Sequence, residues 1–383
     1  MPTPKPKINV LHLASFTGNI GDNANHLGTR AQFSKNLNVE FNYTNLEIRE
    51  FYWGLRQFDQ SFIDYVNSFG LLIVGGGNYF ELWVEKSRTG CSIDLPAEDL
   101  AKISTPILFY GLGVDAGQGV PEKCQRRFSD FLSFIIDSPT IKAVVRNDGA
   151  KETLREYFPD IDTTAILKVP DGGFFVDPGT YEHCELKLGK NIAINIAGDM
   201  LDTRFPSGEN FSFDDFLTEF VGLLTKKLRN NKALNLLFIP HIFRDLDAIH
   251  QALLKFDDDI RRTRISVAPY LTGDLGAEKL FSLYRQCDLS LAMRFHANVC
   301  PLGMRRPVIG LSNYPQIDKL YRDLDLGDQC VRVNCEGFAK DLENKIDEAL
   351  ASEADYVHSI NDKIEADCES THKEIDQWLA KII

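Results

Sequence analysis

The sequence predicts an α/β protein made of two Rossmann-like domains facing each other across a cleft. Three observations lead there. Short, continuously apolar runs alternate with helical stretches from one end of the chain to the other. The alternation stops once, near residues 169–190, and then restarts. The 383 residues are long for one domain and comfortable for two. Continuously apolar strands separated by helices describe a parallel sheet covered on both faces.

The elements follow in order. INVLHLA (8–14) reads as a strand, followed by a loop and a helix near 24–36. LLIVGGG (71–77) and ILFYGLGV (107–114) are buried strands, the first ended by three glycines. QRRFSDFLSFIID (125–137) has helical spacing. KAVVRN (142–147) is a strand, and DGAKETLREYF (148–158) a helix with Asp148 as its expected N-cap. The stretch 169–190 is rich in Gly, Pro and charge and reads as the connection between domains.

Beyond it come strands at 191–198, 234–241, 264–270, 289–295 and 307–312, with helices at 213–230, around 244–256, at 277–287 and from 296. The expected division is 1–178, 190–352, and a polar C-terminal helix over 353–383 that packs back on the first domain.

Composition narrows the function. Hydrophobic content of 44% and charged content of 25% suit a soluble globular chain. No apolar run approaches the roughly 20 residues of a membrane span. The first apolar stretch contains His12 and Ser15 and leads into Gly/Asn/Asp-rich sequence, unlike a signal peptide, so a cytoplasmic or cytoplasm-facing protein is expected. A net charge of −13 argues against a nucleic-acid partner, but leaves room for a small anion held by a local cluster of cations. The eight cysteines form no C-x-x-C pair and no His/Cys cluster of zinc spacing, so packed, reduced thiols and no metal are expected.

In open α/β sheets ligands bind beyond the carboxyl ends of strands. Five segments lie there. In S-F-T-G-N-I-G-D-N (15–23), Gly18 and Gly21 allow tight turns, while Asp22 and Asn23 either bond substrate hydroxyls or cap the next helix. Gly75, Gly76, Gly77 and Asn78 form either an anion-binding backbone or a tight turn; they match neither a P-loop nor G-x-G-x-x-G. Arg146 closes an apolar strand and needs an acid or an anionic ligand. His241, in P-H-I-F-R-D, stands where a catalytic or strand-end histidine would. Arg294, Phe295 and His296 carry the sharpest signal: a permanent cation, then an imidazole at a helix N-terminus, able to accept or relay a proton. Lys319 follows the next strand and either joins an anion site or lies on a solvated helix face.

With these segments in view, the sequence resembles the polysaccharide pyruvyl transferase family over about residues 15–325. The landmarks are G-N-I-G-D, V-G-G-G, F-Y-G-L-G, V-V-R-N-D, V-P-D at 169–171, P-H-x-x-x-D at 240–245, and R-F-H-A-N-V-C-P-L-G-M-R-R-P-V-I-G-L. Two features depart from the family pattern: Asn147 separates Arg146 from Asp148, and Phe295 stands where leucine is common.

The resemblance implies a GT-B-like architecture and transfer of pyruvate from phosphoenolpyruvate to two hydroxyls of a sugar, giving a cyclic ketal and phosphate. It maps Arg146, Arg294, Phe295, His296 and Lys319 to the donor pocket, with His296 catalytic; the chemistry also needs a base for the sugar hydroxyl, for which His241 and Asp22 are the candidates. Ser15, Phe16, Thr17, Gly18 and Asn23, with the 75–78 loop, would face the acceptor. Phosphoenolpyruvate would be a substrate and no cofactor is implied. A lipid-linked acceptor would bring the enzyme to the inner face of a membrane. The alternatives are a glycosyltransferase using a nucleotide sugar and a catalytically inactive carbohydrate-binding relative.

Overall fold

The structure is a computed structural model that describes residues 5–207, 210–351 and 356–382. The chain divides into two compact units. The first comprises the chain up to Phe16, Thr29–Gly172 and the residues from Ile364 onward. The second comprises Thr17–Gly28 and Gly173–Lys363.

The first unit contains β1 (Lys7–Ala14), β2 (Glu40–Glu47), β3 (Leu71–Gly75), β4 (Phe80–Glu81), β5 (Ile107–Leu112), β6 (Val114–Asp115), β7 (Ile141–Arg146) and β8 (Leu167–Val169). Six of these form one sheet in the order β2-β1-β3-β5-β7-β8, parallel throughout. The short strands β4 and β6 pair separately. The central strands β3 and β5 are buried at every position, which is why they read as continuous apolar runs.

Strand β2, EFNYTNLE, was not expected from the sequence. It lies at the sheet edge, largely exposed and dominated by polar residues, so it lacks the apolar signature of its neighbours. The C-terminal helix Tyr356–Ile382 packs into this unit from Ile364 on. There His372 meets the Tyr110 hydroxyl at 2.7 Å and the Asn36 amide at 3.1 Å.

The second unit contains β9 (Lys190–Asn195), β10 (Leu234–Phe238), β11 (Ile265–Val267), β12 (Leu289–Ala292), β13 (Val308–Ser312) and β14 (Cys330–Arg332). Their order is β11-β10-β9-β12-β13-β14, all parallel. Counted from β9, this is the 3-2-1-4-5-6 order of a Rossmann sheet. Helix Phe213–Asn230 begins with a capping box between Ser212 and Asp215 and presents Phe216, Phe220 and Leu224 to the core. Each unit has its own apolar core. No disulfide joins any of the eight cysteines, and Cys91, Cys124, Cys287, Cys300 and Cys368 are buried.

Two local expectations are corrected. The first helix runs Ile20–Asn36, several residues earlier than its apolar spacing indicated, and Asn19 Oδ1 accepts the Gly21 N–H at 3.0 Å. Asp148 does not cap the helix that follows β7. Gly149, at φ +82°, takes the cap position, while the Asp148 carboxylate binds Arg146. A guanidinium closing a buried strand needs a counter-charge more than the helix needs a side-chain cap.

Candidate active site

The strand order defines a switch point in each sheet, where chain connections leave in opposite directions. In the second unit it lies between β9 and β12. The residues just beyond these strands are Ile196–Gly198 and Met293–His296. Arg294 is the N-cap of helix Phe295–Gly303, with extended backbone, and its own N–H donates to Asn195 Oδ1 at 3.0 Å. Its guanidinium forks onto Asp245: Nε reaches Oδ2 at 2.7 Å and Nη2 reaches Oδ1. Nη2 also donates to Asp199 Oδ1 at 2.9 Å. Among the described residues Nη1 donates to none, so that corner of the fork is open to a further acceptor.

Asp245 is fully buried and collects donors. Besides Arg294 it accepts the backbone N–H groups of Gly198, His241 and Ile242 at 3.1, 2.9 and 3.2 Å. Burial alone would raise its carboxyl; the Arg294 charge and these bonds hold it below the usual carboxylate range. Gly198 is required here, because a Cβ would strike the backbone carbonyl of Arg244. Asp199 is shared with Arg204, which also donates to Asn313 Oδ1 at 3.0 Å and lies against the Tyr314 ring. Asp199 and Arg204 were missed in the sequence-based site; Asp245, four residues after His241 in P-H-x-x-x-D, was singled out with it but given no role.

His241 is buried, its ring Nε2 lying 2.9 Å from the Tyr284 hydroxyl. Burial drives its imidazole down to about 3; Asp245 opposes this, and Arg294 and His296 add to it. It is therefore neutral and a very weak base at pH 7, which suits a positioning role better than the base role considered from sequence. His296 is buried in the first turn of its helix, edge-on to the Phe295 ring at 5.3 Å.

Gly21 lies directly against His296, and a Cβ at that position would come within 2.5 Å of the ring Nδ1. The Ile20 N–H also bonds the His241 carbonyl at 3.3 Å, and the Asn23 amide donates to Asp274 at 2.8 Å. Thus Thr17, Gly18, Asp22 and Asn23, expected on the acceptor side of the first domain, belong to the unit that holds His296. Lys319 sits in the second turn of helix Pro315–Asp323, after β13, partly buried.

In the first unit the switch point lies between β1 and β3. Ser15 and Phe16 follow β1, and Gly76, Gly77 and Asn78 follow β3. The glycines serve packing. A Cβ on Gly75 would strike the Tyr110 carbonyl, and one on Gly77 the Tyr79 ring. The Gly76 N–H donates to the Tyr110 carbonyl at 3.0 Å and so is not offered to an anion. The Tyr79 hydroxyl accepts the Ser15 N–H at 2.7 Å, while Arg49 Nε donates to Ser15 Oγ at 3.0 Å. Arg146, at the end of β7, is only 3% exposed; Nε donates to Asp148 at 2.6 Å, and Nη1 lies 3.7 Å from Asp171. Asp171, the last residue of V-P-D, was also missed.

The two sheets and their connections are those of GT-B glycosyltransferases and their relatives, with two Rossmann-like domains. A glycosyltransferase from Rickettsia africae aligns with TM-score 0.58 and 12% identity, covering 98% of both chains. A putative UDP-N-acetylglucosamine 2-epimerase from Listeria monocytogenes aligns with TM-score 0.54 and 12% identity, covering 91% of both. A UDP-forming α,α-trehalose-phosphate synthase from Burkholderia vietnamiensis aligns with TM-score 0.53 and 10% identity, covering 100% of this chain and 98% of the other. These similarities establish the fold. The family comes from the sequence: the polysaccharide pyruvyl transferase model matches residues 19–314, and the chain belongs to that family. No curated protein matches it in a sequence search. No described helix is long and apolar enough to cross a membrane.

Proposed function

We propose that the chain transfers pyruvate from phosphoenolpyruvate onto two hydroxyls of a sugar in a polysaccharide or its precursor. The observation that carries this reading is Arg294 beside His296 at the switch point of the second sheet, with Asp245 fixing the guanidinium and leaving Nη1 unspent. Phosphoenolpyruvate carries a carboxylate and a phosphate, and Arg294 and Lys319 are the cations assigned to them; Arg146, in the other unit, is held by Asp148 and Asp171.

His296 gives a proton to C3 of the enol, and C2 takes on cationic character. The first sugar hydroxyl adds there, and its proton passes to a base. Phosphate leaves with the C2–O bond electrons, the second hydroxyl closes the ring, and its proton ends on phosphate. Asp22, in the first turn of the helix that carries Gly21, is the base favoured over His241.

The test combines phosphoenolpyruvate-dependent phosphate release with thermal midpoints. A ligand of the folded state raises the midpoint by mass action. His296→Ala should lower turnover on the order of 10²–10⁴-fold with the midpoint shift retained. Arg294→Lys should lose most of the shift. Unchanged turnover in His296→Ala would end its assigned role. A shift with UDP and none with phosphoenolpyruvate would favour a nucleotide-sugar glycosyltransferase instead.

A further inference from the structure

The first unit contains a cavity of about 850 Å³ that none of the family landmarks touches. Its walls come from two connections. Residues 51–59 follow β2, and residues 81–99 follow β3. These strands flank β1 on either side, so both connections leave the carboxyl edge of the sheet beside its switch point. A chain of hydrogen bonds ties the cavity to the end of β1. The Ser15 N–H donates to the Tyr79 hydroxyl, the Ser92 N–H to the Tyr79 carbonyl, and the Ser92 hydroxyl to Glu81.

The chemistry of the walls selects a ligand. Phe51 and Phe58 stack at 4.0 Å and give the cavity an apolar side. Tyr52 is 49% exposed, yet its hydroxyl is enclosed with Glu81 and Ser92. The neighbouring Trp53 and Leu55 are 60% and 71% exposed, an apolar margin on the same turn. Arg88 is committed to Asp94 and Asp99, and Arg56 to Glu50. Lys86 also lines the cavity, but Asp59, Asp94 and Asp99 match the three cations Arg56, Lys86 and Arg88, so the walls carry no net positive charge and do not favour a phosphate or a nucleoside diphosphate.

Burial pushes the Glu81 carboxyl up to about 7, with Asp115 adding and the Ser92 bond opposing, so near neutrality Glu81 both donates and accepts. Flat apolar faces beside mixed donors and acceptors, without an excess of cations, match a neutral sugar ring. The volume exceeds what one ring fills.

We propose that this cavity binds neutral pyranose rings of the acceptor glycan, seated on Tyr52 and hydrogen-bonded by Glu81 and Ser92. The word acceptor rests on the pyruvyl-transfer reading; the sugar site itself does not, and it is measured without donor.

The experiment is saturation-transfer NMR on the full chain. The probes are methyl β-glucoside, methyl β-galactoside, methyl α-mannoside and lactose at millimolar concentration, with penta-lysine as a competing cation. Transfer to ring protons of at least one glycoside is expected, weakened roughly fivefold to tenfold in Tyr52→Ala and in Glu81→Leu, and retained in Arg294→Lys. Thermal midpoints and the phosphoenolpyruvate-dependent shift, measured on the same variants, separate unfolding and loss of the donor site from loss of the sugar site. No transfer to any of the four sugars overturns the proposal. So does transfer undiminished in both folded variants, or penta-lysine displacing every sugar signal.

Discussion

The two sheets carry the same kind of crevice and spend it differently. At the switch point of the second unit, three backbone N–H groups from two segments converge on one carboxylate, Asp245, which holds the fork of Arg294 beside His296. At that of the first unit, the glycines after β3 are packed against Tyr110 and Tyr79, and the Gly76 amide is already bonded. The cation there, Arg49, bonds the Ser15 hydroxyl, and Arg146 is three strands from β1, held by Asp148 and Asp171. A glycine-rich strand end is therefore an anion site only when its N–H groups remain unspent. A clamped arginine at the head of a helix keeps its charge whatever the neighbouring backbone does.

The comparison can be broken, and the largest effect is expected at Asp245. Asp245→Ala removes the buried partner of the Arg294 fork, leaving it Asp199 alone, takes the acceptor from three amides, and should cost about 3–5 kcal/mol in urea unfolding. A loss below about 1 kcal/mol would mean that the second crevice is not organised by this carboxylate.

Protonation comes next. Unfolded, His241 and His372 take up protons below about pH 6.5. Folded, their imidazoles are held down to about 3 and about 4, in both cases chiefly by burial. The unfolded state then binds more protons in this window, so the stability these residues contribute is present above pH 6.5 and lost as pH falls toward 4. The slope should approach about 1.4 kcal/mol per pH unit for each histidine. His241→Gln should remove one share, and an unaltered slope in denaturation between pH 6 and 4 would contradict it.

Gly21→Ala sharpens the second crevice. The added methyl has no room beside His296 and should lower phosphate release roughly 10²-fold by displacing the imidazole, with a smaller loss of stability. Wild-type turnover would show that the ring has latitude. The smallest effect is expected in the first crevice. Gly77→Ala should cost about 1–3 kcal/mol through the Tyr79 ring and leave the phosphoenolpyruvate midpoint shift in place. A lost shift would restore the anion-binding reading of V-G-G-G.

Much of this was legible beforehand. Strands β3, β5, β9, β10 and β12 are buried on both faces, and burial on both faces writes itself into the sequence as unbroken apolar runs. Helix Phe213–Asn230 was readable to the residue because its cap and its apolar stripe agree. The strand-end rule found Arg294 and His296 without help from the fold. Strand β2 escaped because an exposed edge strand has no such signature, and the roles of Asp171 and Asp245, both in quoted motifs, escaped because an isolated aspartate looks the same whether it is solvated or buried against an arginine.

The sequence by itself determined the alternating α/β architecture, the family, and the residues at the strand ends, because each of these is set by local pattern along the chain. Only the tertiary structure decided which charges are spent on one another. It showed that Asp148 serves Arg146 instead of a helix cap, that Gly21 lies against His296, 275 positions along the chain, and that His241 is buried, which pushes its imidazole down to about 3. Those outcomes depend on distances between remote segments and on the exclusion of water from them, and neither is encoded in any one stretch of sequence.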